Sequence, residues 1–194
     1  MSLDPSQFQK LNVADTCAIW NVLSSWLLYE RAKSVGCSFC CTNFVHYECL
    51  HKPRKTYSDA DRVLQTRLQK ALQDGQFKSY HLDLEDLQEV DILQKRKKLG
   101  KGELTSIVFA KKTNQAFLTD DKGARNLAEE VMTRRFLQTT PQLVGWLVFT
   151  SLLSDYDVNS IINEHKTVEQ PLAKYFREMY ERALDYRLKL NSSS

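Results

Sequence analysis

The sequence has little that would mark a membrane, secreted or strongly charged protein. Its longest apolar stretch, residues 143–153, is too short for a membrane span, which needs roughly 20 residues. Residues 1–10 carry no apolar signal region. The 27 Lys and Arg against 24 Asp and Glu leave a net charge of only +3, which does not by itself indicate a nucleic-acid ligand. We therefore expect a cytoplasmic protein with no membrane partner.

Several common catalytic signatures are also missing. Gly100 and Gly102 form too short a pair for a Gly-rich phosphate loop. No Ser-His-Asp arrangement can be argued from the sequence. The five cysteines are an odd number, and four of them fall within residues 37–49, which argues against a disulfide scaffold. We expect all of them to be reduced.

What the sequence does contain is an alternation of short strands and amphipathic helices. The predicted strands cover residues 10–15, 37–42, 77–82, 115–119 and, briefly, 136–137. One helix is predicted to follow the first strand, with Thr16 as its cap, and to continue through Leu27; apolar spacing predicts further helices between the later strands. This order predicts an α/β fold, a three-layer α/β/α sandwich with a central parallel sheet of four to five strands.

The last forty residues differ from the rest. We predict one domain over residues 1–154 and a C-terminal helical extension over 155–194. Residues 171–190 read as a charged helix with one apolar stripe, which either packs on the domain or serves a partner or a homodimer.

Four separated segments place carboxylates at the ends of predicted elements. Asp15 and the pair Asp120–Asp121 end strands, whereas Glu48 and Glu103 lie near helix starts. Taken singly, each is more often a helix cap or a solvated charge. Together, at the carboxyl edge of a parallel sheet, they would repel one another unless a cation intervened. Mg²⁺ or Mn²⁺ takes such oxygen ligands and supports phosphodiester hydrolysis.

Four motifs in these segments resemble the PIN domain, a nuclease family that includes many toxin ribonucleases of bacterial toxin–antitoxin pairs. They are Val-Ala-Asp-Thr at 13–16, Thr-Asn-Phe-Val-His-Tyr-Glu at 42–48, Leu-Gly-Lys-Gly-Glu-Leu-Thr-Ser-Ile at 99–107, and Phe-Leu-Thr-Asp-Asp-Lys-Gly-Ala-Arg at 117–125. The resemblance implies an endoribonuclease that depends on Mg²⁺ or Mn²⁺, with RNA as substrate and a cognate antitoxin as a possible partner.

The resemblance also implies roles for individual residues. Asp15, Glu48, Glu103 and Asp121 match the acidic catalytic and metal-binding positions, and Asp120 is a further metal candidate beside them. Asp121 is preferred over Asp120 because the family pattern is Thr-x-Asp, and Thr119 sets that frame.

Two residues are candidates for substrate binding. Thr16 matches the hydroxyl next to the first Asp, and Arg125 either contacts phosphate or pairs with Asp120. The basic clusters at 52–55 and 95–98 are solvated faces or attract the phosphate backbone. Trp20 either packs or stacks a base.

Two alternatives stay open. The first is a catalytically inactive PIN-fold module that binds nucleic acid or protein. The second is a zinc-bearing interaction module, for which the spacing Cys37-x-x-Cys40 is suitable. However, Cys40 and Cys41 should face opposite sides of a strand, which favours buried cysteines. The candidate ligands are Cys37, Cys40, Cys41, His46, Cys49 and His51.

Overall fold

The fold is built on a five-stranded sheet in which all neighbouring strands are parallel. A computed structural model describes residues 4–54, 56–75 and 77–192. The strands are β1 Leu11–Ala14, β2 Ser38–Thr42, β3 Phe77–Tyr80, β4 Ala116–Leu118 and β5 Leu137–Gln138. The predicted α/β class and the parallel sheet of four to five strands are confirmed.

The strand order β3-β2-β1-β4-β5 places β1 at the centre. Val13 of β1 lies opposite Cys40 of β2 on one side and Phe117 of β4 on the other. The chain thus builds outward from β1 to β3 and then returns to the other side of β1. In open α/β sheets, ligands bind at the carboxyl ends of the strands where the order reverses in this way.

Helices cover both faces of the sheet, as expected for parallel strands. They are α1 Thr16–Leu23, α2 Trp26–Ser34, α3 Asn43–Leu50, α4 Asp59–Gln73, α5 Leu84–Arg96, α6 Lys101–Thr113, α7 Lys122–Val131, α8 Thr140–Phe149, α9 Asp155–Thr167 and α10 Ala173–Ser192. A 3₁₀ turn, Arg134–Phe136, precedes β5. Within the described ranges, no helix is both long and apolar enough to cross a membrane.

Successive strand residues point into two separate apolar layers. Ala14 and Cys41 join the layer formed with α1, α2, α3, α4 and the C-terminal helices. Val13 and Cys40 join the layer formed with α5, α6 and α7. The prediction that Cys40 and Cys41 face opposite sides is therefore confirmed, and both thiols are buried.

The first predicted helix is wrong in its extent, because it is two helices. The chain turns at Ser24 and Ser25, and the Ser25 side chain accepts the backbone N–H of Leu28 to begin α2. Short hydroxyl side chains favour such caps over helix interiors. The expected cap at Thr16 is also wrong, since Asp15 fills that position and accepts the backbone N–H of Ala18.

Helix α9 lies within the predicted C-terminal helical extension, but its bounds were not predicted, although its sequence carries a start signal. The Ser154 side chain accepts the backbone N–H of Asp157, and Asp157 accepts the N–H of Ser154 in return. This reciprocal pair is a capping box. The five strands begin and end within two residues of the predicted bounds.

Helix α10 packs against α8 through the middle of its predicted apolar stripe. Phe176, Met179 and Ala183 are buried, whereas Tyr175 is 52% exposed. A Cβ added at Gly145 of α8 would lie 2.8 Å from the Met179 Cε atom and 3.3 Å from the Met179 carbonyl oxygen, so the two helices approach closely at this glycine. The division of the chain at residue 154 stays a prediction.

Candidate carboxylate site

The candidate site lies at the carboxyl ends of the two central strands. Asp15 follows β1, and its backbone N–H donates to the Leu118 carbonyl of β4 at 3.3 Å. Thr119, Asp120 and Asp121 follow β4 directly. Because the strand order reverses between β1 and β4, this edge is where the fold leaves room for a ligand.

Asp15 is the most buried member of the site, with 1% of its surface exposed. One carboxylate oxygen accepts the Ala18 N–H at 2.9 Å and the Cys17 thiol at 3.0 Å, and the other accepts the Thr119 hydroxyl. Burial raises the pKa of Asp15 to about 7, and the charge of Asp120 adds to that effect. The hydrogen bonds oppose the rise but do not cancel it.

Asp120 is held by the start of α8 and by α1. It accepts the backbone N–H and the hydroxyl of Thr140 at 2.9 and 2.6 Å, and the Asn21 amide at 2.8 Å. Burial raises its pKa, while the nearby charge of Arg125 acts in the opposite direction. The Asn21 side chain is buried, and its Oδ1 atom has no hydrogen-bond partner among the described residues.

Glu48 reaches the site from the last turn of α3, so its predicted place near a helix start is wrong: α3 begins five residues earlier, at Asn43. Its Oε2 atom accepts the Thr16 hydroxyl at 2.8 Å, and its Oε1 atom lies 3.9 Å from the Lys52 ammonium. A Cβ added at Gly102 of α6 would lie 2.3 Å from Glu48 Oε2, so the carboxylate occupies the space that a side chain would fill. Glycine at this position therefore lets Glu48 approach α6.

Glu103 and Asp121 complete the set from the starts of two helices. Glu103 accepts the Gly100 N–H at 2.7 Å, and Asp121 accepts the Ala124 N–H at 2.7 Å. Burial raises the pKa of Glu103, and the charges of Asp121 and Glu48 raise it further. Since these charges act on one another, the structure does bring carboxylates from four separated segments to one edge of the sheet.

The donor chemistry of this edge suits a hard divalent cation, since it is built from carboxylate oxygens. The buried and unpaired Asn21 oxygen beside Asp120 is also a group that a cation or its water would satisfy. As placed, however, no group of three or more His, Cys, Asp or Glu side chains in residues 4–54, 56–75 and 77–192 is arranged to hold a metal.

The predicted substrate residues take different positions. Thr16 hydrogen bonds to Glu48 and so orients a carboxylate. Arg125 lines a cavity of about 680 Å³ together with Asp120, and no ion pair within 4.0 Å joins the two in the described part of the chain. Trp20 is partly buried against the main core.

The predicted zinc ligands are dispersed. Cys37, Cys41 and Cys49 lie in one apolar layer, whereas Cys40 lies in the other. All five cysteines are free thiols. The rings of His46 on α3 and His51 at its end meet edge to face, with centroids 5.3 Å apart.

The two basic clusters lie in different settings. In the first, Arg54 pairs with Asp61 and Lys52 lies beside Glu48, whereas Lys55 falls outside the described residues. The second runs through the end of α5, where Lys95 and Arg96 occupy the last turn, and continues into the connection to α6.

Sequence reasoning missed Asn21 and Thr140, which hold Asp120. Asn21 is a polar residue among the apolar positions of α1, and that interruption is the signal that could have identified it. A hydrogen-bond chain also continues from this helix to α9, because Ser24 donates to the Asn21 carbonyl at 2.6 Å and contacts His165 Nδ1 at 2.6 Å.

No protein-family model, no curated protein and no solved structure matches the chain. Neighbouring carboxylates with raised pKa values, placed where a parallel sheet opens, can bind a cation or exchange protons with a ligand.

Proposed function

We propose that the chain is a PIN-like endoribonuclease that depends on Mg²⁺ or Mn²⁺. The observation that carries this proposal is the convergence of Asp15, Glu48, Glu103 and Asp121, from four separated segments, at the edge where the strand order reverses. The sequence motifs that resemble the PIN family lie in the same four segments.

A divalent cation at this edge would lower the pKa of a water molecule and offset the negative charge of the phosphodiester. Asp15, Glu48, Glu103 and Asp121 are the residues that would hold it, with Asp120 beside them. Thr16 and Thr119 orient Glu48 and Asp15 through their hydroxyl groups. Gly102 keeps α6 close enough for Glu48 to share the site.

The test is cleavage of single-stranded RNA of mixed sequence with Mg²⁺, with Mn²⁺ and with a chelator. The variants Asp15→Asn and Asp121→Asn remove a charge while keeping a side chain that can still cap the following helix. Glu130→Gln removes an exposed carboxylate of α7 and serves as the matched control.

We expect cleavage by the wild type and by Glu130→Gln, and its loss in both Asp variants and in the chelator. Cleavage that survives both Asp substitutions, or that proceeds equally in the chelator, would contradict the carboxylate mechanism. Circular dichroism of each variant separates a lost site from a lost fold.

The second candidate is an inactive binding module on the same fold. In its favour, the oxygens of Asp15 and Asp120 already accept protein hydrogen bonds, and Lys52 lies beside Glu48. These carboxylates would then stabilise the strand ends rather than hold a cation. RNA binding without cleavage under every ionic condition would select this candidate.

A cytoplasmic location, a cognate antitoxin and a homodimer are further parts of the proposal. The antitoxin depends on the family resemblance, the location on the composition of the chain, and the homodimer on the apolar stripe of residues 171–190. Co-purification of a second chain encoded beside this one would support the antitoxin. Light scattering of the purified protein would measure the oligomeric state.

A further inference from the structure

A cavity of about 570 Å³ opens directly beside Glu48, between α3 and the start of α6. Its volume lies in the range of pockets that hold small organic groups. The walls include two aromatic rings, two lysines and the Glu48 side chain, contributed by Phe44, Tyr47, Glu48, Lys52, Gly100 and Lys101. The cavity therefore borders the carboxylate site and shares Glu48 with it.

The aromatic wall is exposed although aromatic rings usually pack into the core. Phe44 is 36% exposed and Tyr47 is 51% exposed. Phe44, Tyr47 and Glu48 occupy positions i, i+3 and i+4 of α3, so they lie on one face of that helix. Flat rings are thus presented to solvent one helical turn from a carboxylate of the candidate site.

The rim of the cavity is positively charged. Lys101 is exposed at the first position of α6, and the Lys52 side chain is 60% exposed at the end of α3. The Lys52 ammonium lies 3.9 Å from Glu48 Oε1, so one cation of the cavity rim already lies beside a carboxylate of the candidate site. A ligand with a flat apolar body and negative groups at its ends complements this arrangement.

We infer that the cavity binds an unpaired nucleobase of a single-stranded nucleic acid, with Tyr47 and Phe44 as the stacking surface. Stacking of bases on exposed aromatic rings beside basic side chains is how single strands bind without sequence readout. Lys52 and Lys101 would contact the flanking phosphates, which Glu48 would otherwise repel. A paired duplex does not fit, because its bases are already stacked on one another.

This inference deepens the proposed function and rests on it, since a base held here would place its neighbouring phosphodiester beside Glu48. It assigns one base of the single-stranded RNA substrate a binding surface on α3. It also gives Lys52, the first residue of the basic cluster at 52–55, a role in binding phosphate, which the carboxylates do not provide.

The experiment measures binding with cleavage switched off. A short single-stranded RNA carrying one 2-aminopurine is titrated with protein in a chelator, and anisotropy and 2-aminopurine fluorescence are recorded. The variants are Tyr47→Ala, Phe44→Ala and Tyr47→Phe. Tyr156→Ala is the control, because Tyr156 lies on α9 and is 80% exposed.

We expect Tyr47→Ala and Phe44→Ala each to weaken binding about tenfold and to reduce the 2-aminopurine signal, because one stacking partner is removed. Tyr47→Phe keeps the ring and should bind within about twofold of wild type. Tyr156→Ala should bind as wild type, and the same RNA annealed to its complement should bind without dependence on Tyr47.

Three results would overturn the inference: no binding of single strands by the wild type, wild-type binding by both Ala variants, or equal dependence on Tyr47 for duplex RNA. The first of these would leave the cavity to a protein partner. If RNA binding in the chelator depends on the rings but no RNA is cleaved in Mg²⁺ or Mn²⁺, the base-binding site is supported and the proposed nuclease activity is refuted. If cleavage is normal in Tyr47→Ala and Phe44→Ala, the nuclease activity is supported and the base-binding site is refuted.

Discussion

His165 makes the stability of this protein depend on pH in a way that the structure defines. The ring is fully buried between α1, α9 and the connection to α10. The Leu172 backbone N–H donates to its Nε2 atom at 2.9 Å, so Nε2 carries no proton. Nδ1 therefore carries the proton and donates to the Ser24 hydroxyl, which in turn donates to the Asn21 carbonyl.

A second proton has no place on this ring, because it would face the Leu172 N–H donor inside an apolar layer. Burial lowers the pKa of His165 from its ordinary value of 6.5 to about 4. Between pH 6.5 and about pH 4, the unfolded chain therefore binds a proton that the folded chain does not bind. Stability contributed by neutral His165 is therefore lost as pH falls below about 6.5.

The size of this loss of stability follows from the linkage between proton binding and folding. The separation of the two pKa values corresponds to about 3 kcal/mol once the pH is below both, and to about 2 kcal/mol at pH 5 relative to pH 7.5. The variant His165→Gln has no titrating ring. We expect it to be less stable than wild type near neutral pH, where it forfeits the hydrogen bonds to Ser24 and Leu172, and to lose about 2 kcal/mol less on going to pH 5.

The assay is urea unfolding of wild type and His165→Gln at pH 7.5, 6.0 and 5.0, with the difference in free energy of unfolding compared across pH. Other titrating groups contribute equally to both proteins and cancel. The NMR titration of the His165 ring gives its folded pKa directly. The reasoning would be refuted if the difference in free energy of unfolding between wild type and His165→Gln were the same at every pH, or if the folded ring had a pKa near 6.5.

Two further predictions concern the site and the C-terminal helix. Gly102→Ala should reduce cleavage as Glu48→Gln does, because the added Cβ would lie 2.3 Å from Glu48 Oε2 and displace that carboxylate. It should lower the melting temperature only slightly, because the added Cβ meets the movable end of Glu48 and comes no closer than 3.3 Å to Val45 Cγ2; a wild-type cleavage rate would show that Glu48 need not lie there. Phe176→Ala should cost about 3–5 kcal/mol in the free energy of unfolding, because the ring is fully buried, whereas exposed Tyr175→Ala should cost less than about 1 kcal/mol. Equal small losses in both would contradict the packing of α10.

The sheet could be predicted from sequence because its signals are local. Short apolar runs such as Phe39–Cys41 and Ala116–Leu118 alternate with helical spacing, and that order indicates parallel strands. The break at Ser24 and Ser25 was missed because the apolar spacing continues across it. The two adjacent serines were the sign of a turn that the sequence offered. In the structure, both are buried.

The carboxylate edge was predictable in part. Strand ends placed Asp15 and Asp120 correctly at one edge of the sheet, since strand direction fixes which residues meet there. The bond between Thr16 and Glu48 was not predictable, because it depends on how α3 rotates over α1. The same holds for Asn21 and Thr140, whose partner Asp120 is distant in sequence.

The contact between Gly145 and Met179 sets a practical limit on how this protein can be shortened. Gly145 has no side chain, so the side chain and backbone of Met179 on α10 pack directly against the backbone of α8 at this position. Removal of residues 155–192 would leave this surface and the buried neighbours of Phe176 facing water, and such apolar surface promotes aggregation. Biochemical work on the catalytic proposal should therefore use the chain with both C-terminal helices attached.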